Sequence, residues 1–109
     1  MTKVAYNACF GGFQISLACA EYMANLGNKE CLRDLAIDEE GRAQFYGTLD
    51  DTPRHDAILI LALEALGEKA SGSCSDIQVR EIKGDRYYID EYDGSESVVT
   101  PQDIEWTLI

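Results

Sequence analysis

The sequence predicts an α+β domain: two helices packed on one face of a small, mostly antiparallel sheet. Three observations lead there. Strand-like runs rich in β-branched and aromatic residues occupy both ends of the chain. Two stretches between them carry apolar residues at helical spacing. Glycine-rich turn sequences separate the runs. The length of 109 residues allows one domain, residues 1–109, with a single core.

The first strand is predicted over residues 3–10, ending at Gly11-Gly12, where glycine permits a tight change of direction. Ser16 has the chemistry of a helix cap, and Leu17, Ala20, Met23 and Ala24 recur on one helical face before Gly27. Leu35-Ala36-Ile37 and Ala43-Gln44-Phe45-Tyr46 flank the polar stretch Asp38-Glu39-Glu40-Gly41, the composition of a hairpin. Pro53 and Asp56 mark the start of a second helix, in which Ile58 to Leu66 is interrupted by one charged residue, Glu64. Residues 76–82 and 86–92 read as strands joined through Lys83-Gly84-Asp85 as a hairpin, and Asp93-Gly94 as a turn into a strand over residues 95–99. Thr100-Pro101-Gln102-Asp103 has the pattern of a helix start, and a short turn after it is expected to return Ile104 and Trp106 to the core.

Charge narrows the functional classes. Twenty Asp and Glu against nine Lys and Arg give a formal net charge of -11, a surface that repels nucleic-acid phosphates and anionic lipid. No apolar run has the length to span a bilayer. The opening residues lack the charged, apolar and small-residue order of a signal peptide, so a cytoplasmic protein is expected. Cys9, Cys19, Cys31 and Cys74 form no Cys-x-x-Cys pair, and free thiols are the expectation, with no metal site. Nor does any stretch imply a cofactor.

Three groups of residues could carry chemistry. Asn7, Gly11, Gly12 and Phe13 surround a turn that could host an anion, since glycines let backbone amides approach a phosphate and a helix N-terminus favours negative charge. Arg54 and His55 would be the cationic partners of that phosphate, with Phe13 or Tyr92 stacking on a base. Turn geometry accounts for the two glycines as readily as a ligand does. Cys9 and His55 are candidates for a thiolate and its base, provided that the fold brings them together. Finally Asp90, Glu91, Asp93 and Glu96 lie in a C-terminal stretch of net charge -6 from residue 85 onward, which could imitate the spaced phosphates of a duplex or form an ordinary solvated face.

Taken together, residues 7–16 (Asn-Ala-Cys-Phe-Gly-Gly-Phe-Gln-Ile-Ser), Arg54-His55-Asp56, Leu66-Gly67-Glu68-Lys69-Ala70 and Ile89-Asp90-Glu91-Tyr92-Asp93-Gly94 resemble a family of small proteins encoded by phages and prophages. Its pattern is Asn-x-Cys-aromatic-Gly-Gly-Phe, then Arg-His-Asp-Pro, then Ile-Asp-Glu-Tyr-Asp-Gly. Ala57 stands here in place of the proline, and residues 28–51 match poorly. The resemblance implies a phage context in the host cytoplasm, and with it a counter-defence protein. The first expectation is non-catalytic sequestration of a nucleotide-type immune signal. An acidic mimic of nucleic acid that blocks a basic host defence protein, in the manner of an anti-CRISPR, comes next, and a Cys-His enzyme acting on a small ligand comes last. Assembly into a homo-oligomer is compatible with all three.

Overall fold

The computed structural model describes residues 2–45 and 47–109. The fold is α+β, as the sequence predicts, but the strands form three separate two-stranded antiparallel ribbons in place of one sheet. In chain order the elements are β1 (Thr2–Asn7), α1 (Leu17–Asn25), α2 (Lys29–Asp34), β2 (Leu35–Ile37), β3 (Ala43–Phe45), α3 (Ala57–Leu66), β4 (Ile77–Ile82), β5 (Tyr88–Tyr92) and β6 (Ser95–Val99). Single 3-10 turns follow α3 at Gly67–Ala70 and β6 at Pro101–Asp103.

Local chemistry explains the helix ends. The Ser16 hydroxyl accepts the Cys19 amide at 3.1 Å and donates to the Lys69 carbonyl at 2.6 Å, so one side chain caps α1 and ties it to the turn after α3. The Asp56 carboxylate accepts the Leu59 amide at 3.0 Å to start α3. The Thr100 side chain and Asp103 exchange bonds as a capping box. A third, six-residue helix, α2, was not expected; Asn28 caps it by accepting the Cys31 amide at 2.8 Å.

The β1–β4 ribbon is the middle layer. Opposite residues in an antiparallel pair share a face, and the register sets Ala5 against Val79 and Asn7 against Ile77. Ala5, Ile77 and Val79 pack toward Met23, Cys19, Leu59 and Leu63 of α1 and α3. Val4 and Ile82, on the other face, pack with Val98, Tyr87 and Ile89 of the β5–β6 region. Both helices therefore do lie on one face of a ribbon, and the β5–β6 hairpin covers the other.

Two expectations are corrected here. β4 and β5 do not pair: β4 takes β1 as partner, β5 takes β6, and the Lys83-Gly84-Asp85 link crosses between layers. Burial of Ile82 between Val4 and Val98 favours this stacking over a hairpin. Ile104 and Trp106 do not return to the core; Trp106 is 77% exposed, because the capping box closes after Asp103 and the chain leaves it extended. The β2–β3 hairpin forms as predicted, although Tyr46, assigned to its second strand, lies outside the described residues. The first strand is shorter than expected, ending at Asn7.

Candidate functional site

β1 ends on Asn7, whose side chain is fully buried. Its Nδ2 donates to the carbonyls of Cys9 at 2.7 Å and Gly94 at 2.8 Å, and its Oδ1 accepts the Asp76 amide at 2.9 Å. The Asn7 backbone amide, facing away from β4, donates to Glu96 Oε1 at 2.9 Å. One asparagine thus joins the end of β1, the start of β4 and the β5–β6 turn. Its expected role as a ligand contact is corrected: its amide group is engaged internally and has no exposed surface.

Arg54 completes the same knot. Its guanidinium forms a two-pronged ion pair with Glu96, at 2.5 and 2.9 Å, and lies over the Phe13 ring with its carbon 3.6 Å from the ring centre. Its carbonyl accepts the Ala5 amide at 2.8 Å. The Arg54 fork and the face of Phe13 therefore satisfy each other and Glu96. Glu96, expected to face a partner, is corrected as well: it is a buried carboxylate that neutralises Arg54.

The double glycine is explained by close approach and by backbone sign. A Cβ on Gly11 would lie 1.6 Å from the Cys74 carbonyl oxygen, whereas Gly12 has open space around it but a φ of +89°. Ser75 Oγ donates to the Gly12 carbonyl at 2.6 Å. This turn does not run into a helix. Residues 13–16 intervene, Ile15 bridges to Ser71, and the N-terminus of α1 is capped by Ser16.

Cys9 and His55 engage different partners. The Cys9 thiol donates to the Cys74 carbonyl at 3.1 Å and contacts Asn7 Oδ1 at 3.4 Å. His55 Nδ1 is 2.7 Å from the Tyr87 hydroxyl, with the two rings edge to face, and it lines a cavity with Thr2 and Lys3 at the opposite end of β1. Burial raises the Tyr87 hydroxyl pKa, the largest of its influences. No hydrogen bond joins Cys9 to His55 among the described residues.

What remains exposed is the outer side of the β5–β6 hairpin. Asp93 and Gly94 both have positive φ, 51° and 88°, the geometry of the two-residue hairpin turn that an Asp-Gly pair favours. A Cβ on Gly94 would lie 2.3 Å from the Phe10 carbonyl oxygen, so the turn is pressed against residues 10–12. Strand alternation puts Tyr88, Asp90 and Tyr92 on one face, opposite Val99, Ser97 and Ser95. Tyr88 is 56% and Tyr92 79% exposed, Asp90, Glu91 and Asp93 are exposed, and Phe10, 68% exposed, belongs to the segment against the turn. Sequence reasoning found the acids and, by strand alternation, sets Tyr88 on one face with Tyr92; it missed only which face the hairpin turns outward, which tertiary packing decides.

It also missed a second buried polar knot, in which Glu30 accepts the Thr52 hydroxyl at 2.7 Å and the Asp51 amide at 3.1 Å while Asn28 Nδ2 donates to Thr52. Only the asparagine cap had a local signature.

No family model matches the chain, and neither the curated proteins nor the solved structures contain a significant match to it.

Proposed function

We propose that this protein is an acidic docking protein that occupies a basic, nucleic-acid-binding surface of a host defence effector. The observation that carries the reading is the exposed Tyr88-Asp90-Tyr92 face, flanked by Glu91 and Asp93. Tyrosines supply rigid contact area at interfaces, and the exposed carboxylates of Asp90 on this face, Asp93 in the turn and Glu91 on the strand's other side supply complementarity to Lys and Arg. Asp90, Glu91 and Asp93 have no ion-pair partner among the described residues, so their charge is open to a partner.

Sequestration of a nucleotide receives less support. A phosphate at the Arg54 position would have to displace a carboxylate held by two hydrogen bonds, and the Gly11-Gly12 turn does not open onto a bare helix N-terminus. The Cys-His reading would require the thiol or the imidazole to leave its present partner.

The test is phage plating on cells that carry defence systems with nucleic-acid-binding effectors, with and without the protein. Restored plating in at least one system is expected, and its loss in a variant carrying Asp90→Lys, Glu91→Lys and Asp93→Asn; asparagine preserves the positive-φ position. Rescue by that variant, with an unchanged melting temperature, would overturn the hairpin as the docking face. A thermal shift with cyclic dinucleotides would restore the nucleotide reading.

A further inference from the structure

β4 has a strand on one side only. The Ala8 amide donates to the Asp76 carbonyl at 2.8 Å, which extends the ladder and identifies its hydrogen-bonded pairs as Tyr6 with Gln78, Val4 with Arg80 and Thr2 with Ile82. The intervening residues must then turn their amides and carbonyls away from the partner strand. On β1 they do: Ala5 donates to Arg54 and Asn7 to Glu96. On β4 the same series is Ile77, Val79 and Glu81. Ile77 donates to Ser71 Oγ at 2.9 Å, and Val79 and Glu81 make no outward hydrogen bond among the described residues.

A groove of about 670 Å³ runs between this strand and the end of α3, lined by Leu63, Ile77 and Val79 together with Glu68 and Asp76. Glu68 and Asp76 have no ion-pair partner among the described residues; Glu64, at the same groove, is held by Lys3 at 2.8 Å.

We propose that β4 receives an extended partner segment as a third strand of the β1–β4 ribbon, and that this segment alternates apolar residues with Lys or Arg. Main-chain bonds to Val79 and Glu81 supply the pairing, the apolar side chains meet Leu63, Ile77 and Val79, and the cations meet Glu68 and Asp76. Charge selects this occupant over a second copy of the chain. The exposed stretch Ile104-Glu105-Trp106-Thr107-Leu108 also alternates, but it brings Glu105 to an acidic groove in a molecule of net charge -11. The inference stands on backbone geometry and does not depend on the β5–β6 face.

The experiment is amide hydrogen exchange on the full chain, labelled with nitrogen-15, with an end-blocked Lys-Val-Lys-Val-Lys-Val peptide as probe and Glu-Val-Glu-Val-Glu-Val as control. The basic peptide is expected to slow exchange at Val79 and Glu81 by at least about tenfold, and the acidic one to have no effect. Glu68→Lys combined with Asp76→Lys should remove the protection without changing the melting temperature. The hairpin charge variant should retain it, which separates failure here from failure of the effector-docking reading. Unchanged exchange with millimolar basic peptide would overturn the proposal, as would equal protection by the acidic peptide. Concentration-dependent protection of both amides in the protein alone would assign the edge to a second copy and overturn it too.

Discussion

Glu96 and Asp90 are carboxylates on adjacent strands of one hairpin with opposite consequences for stability. Glu96 is buried, accepts the Asn7 amide and neutralises Arg54, so Glu96→Ala leaves an unpaired amide in the interior and a partly buried guanidinium without its counter-charge. A loss of about 3 kcal/mol is expected by urea denaturation, the lower end of the range for breaking one side of a buried pair, because water still reaches part of the guanidinium. Asp90→Ala, at an exposed position with no ion pair, should stay within about 0.5 kcal/mol of the parent. Glycines divide in the same way. Gly11→Ala drives a methyl into the Cys74 carbonyl and should compromise folding, while Gly41→Ala, with a φ of +82° and open space around it, should cost only about 1 kcal/mol in the same assay.

Helix α1 places Cys19 against Met23, and α2 places Cys31 in the same core. Burial pushes the Cys19 thiol up to about 12 and the Cys31 thiol up to about 11. For an acid whose folded pKa is raised, the unfolded chain ionises first, so stability is intact below the ordinary thiol pKa and falls as pH rises toward the folded value. The melting temperature should therefore decline above about pH 8.5, and Cys19→Ala should flatten that decline even though it lowers stability at neutral pH. Iodoacetamide should modify exposed Cys74 first and Cys19 and Cys31 last, with mass spectrometry giving the order. At the other end of the chain, Asp103 is held well below the usual carboxylate range, first by its hydrogen bond from Arg80 and then by the Thr100 amide. Its stabilisation of the last 3-10 turn is thus present at all pH values above the ordinary aspartate pKa and lost only as acid carries the solution down through the lowered one.

The radius of gyration, 15.3 Å, exceeds the value of about 13 Å for a compact chain of this length. The molecule is elongated, with principal extents of 64, 27 and 22 Å, and the residues after Asp103 are exposed. Trp106, the single tryptophan, should accordingly show solvent-exposed emission that acrylamide quenches freely in the native protein. Net charge acts over the same distances. Added salt screens self-repulsion among the excess carboxylates and should raise the melting temperature, yet it should weaken docking on a basic effector, because both effects are Coulombic and of opposite sign. A binding isotherm and a melt recorded across one salt series check the two together.

Features closed within a few residues were legible in the sequence: the caps at Ser16 and Asp56, the Thr100–Asp103 box, the Asp93-Gly94 turn and the apolar stripes of α1 and α3. Each depends on backbone sign or on a side chain reaching its own next turn, so spacing along the chain carries the information. The acidic charge of the β5–β6 hairpin was equally plain. Pairing of β1 with β4 between residues 70 to 80 positions apart was not, nor was the division of the strands into three ribbons. Those outcomes depend on which apolar faces bury one another, and alternation along a strand gives two candidate faces without choosing the neighbour of either. Tertiary structure also decided what Asn7, Arg54 and Glu96 do. Read alone, Asn7 and Arg54 suit an anion site and Glu96 an acidic partner-facing stretch, but folding brings a carboxylate, a guanidinium and an amide from three distant segments together, and away from water such groups must satisfy one another first.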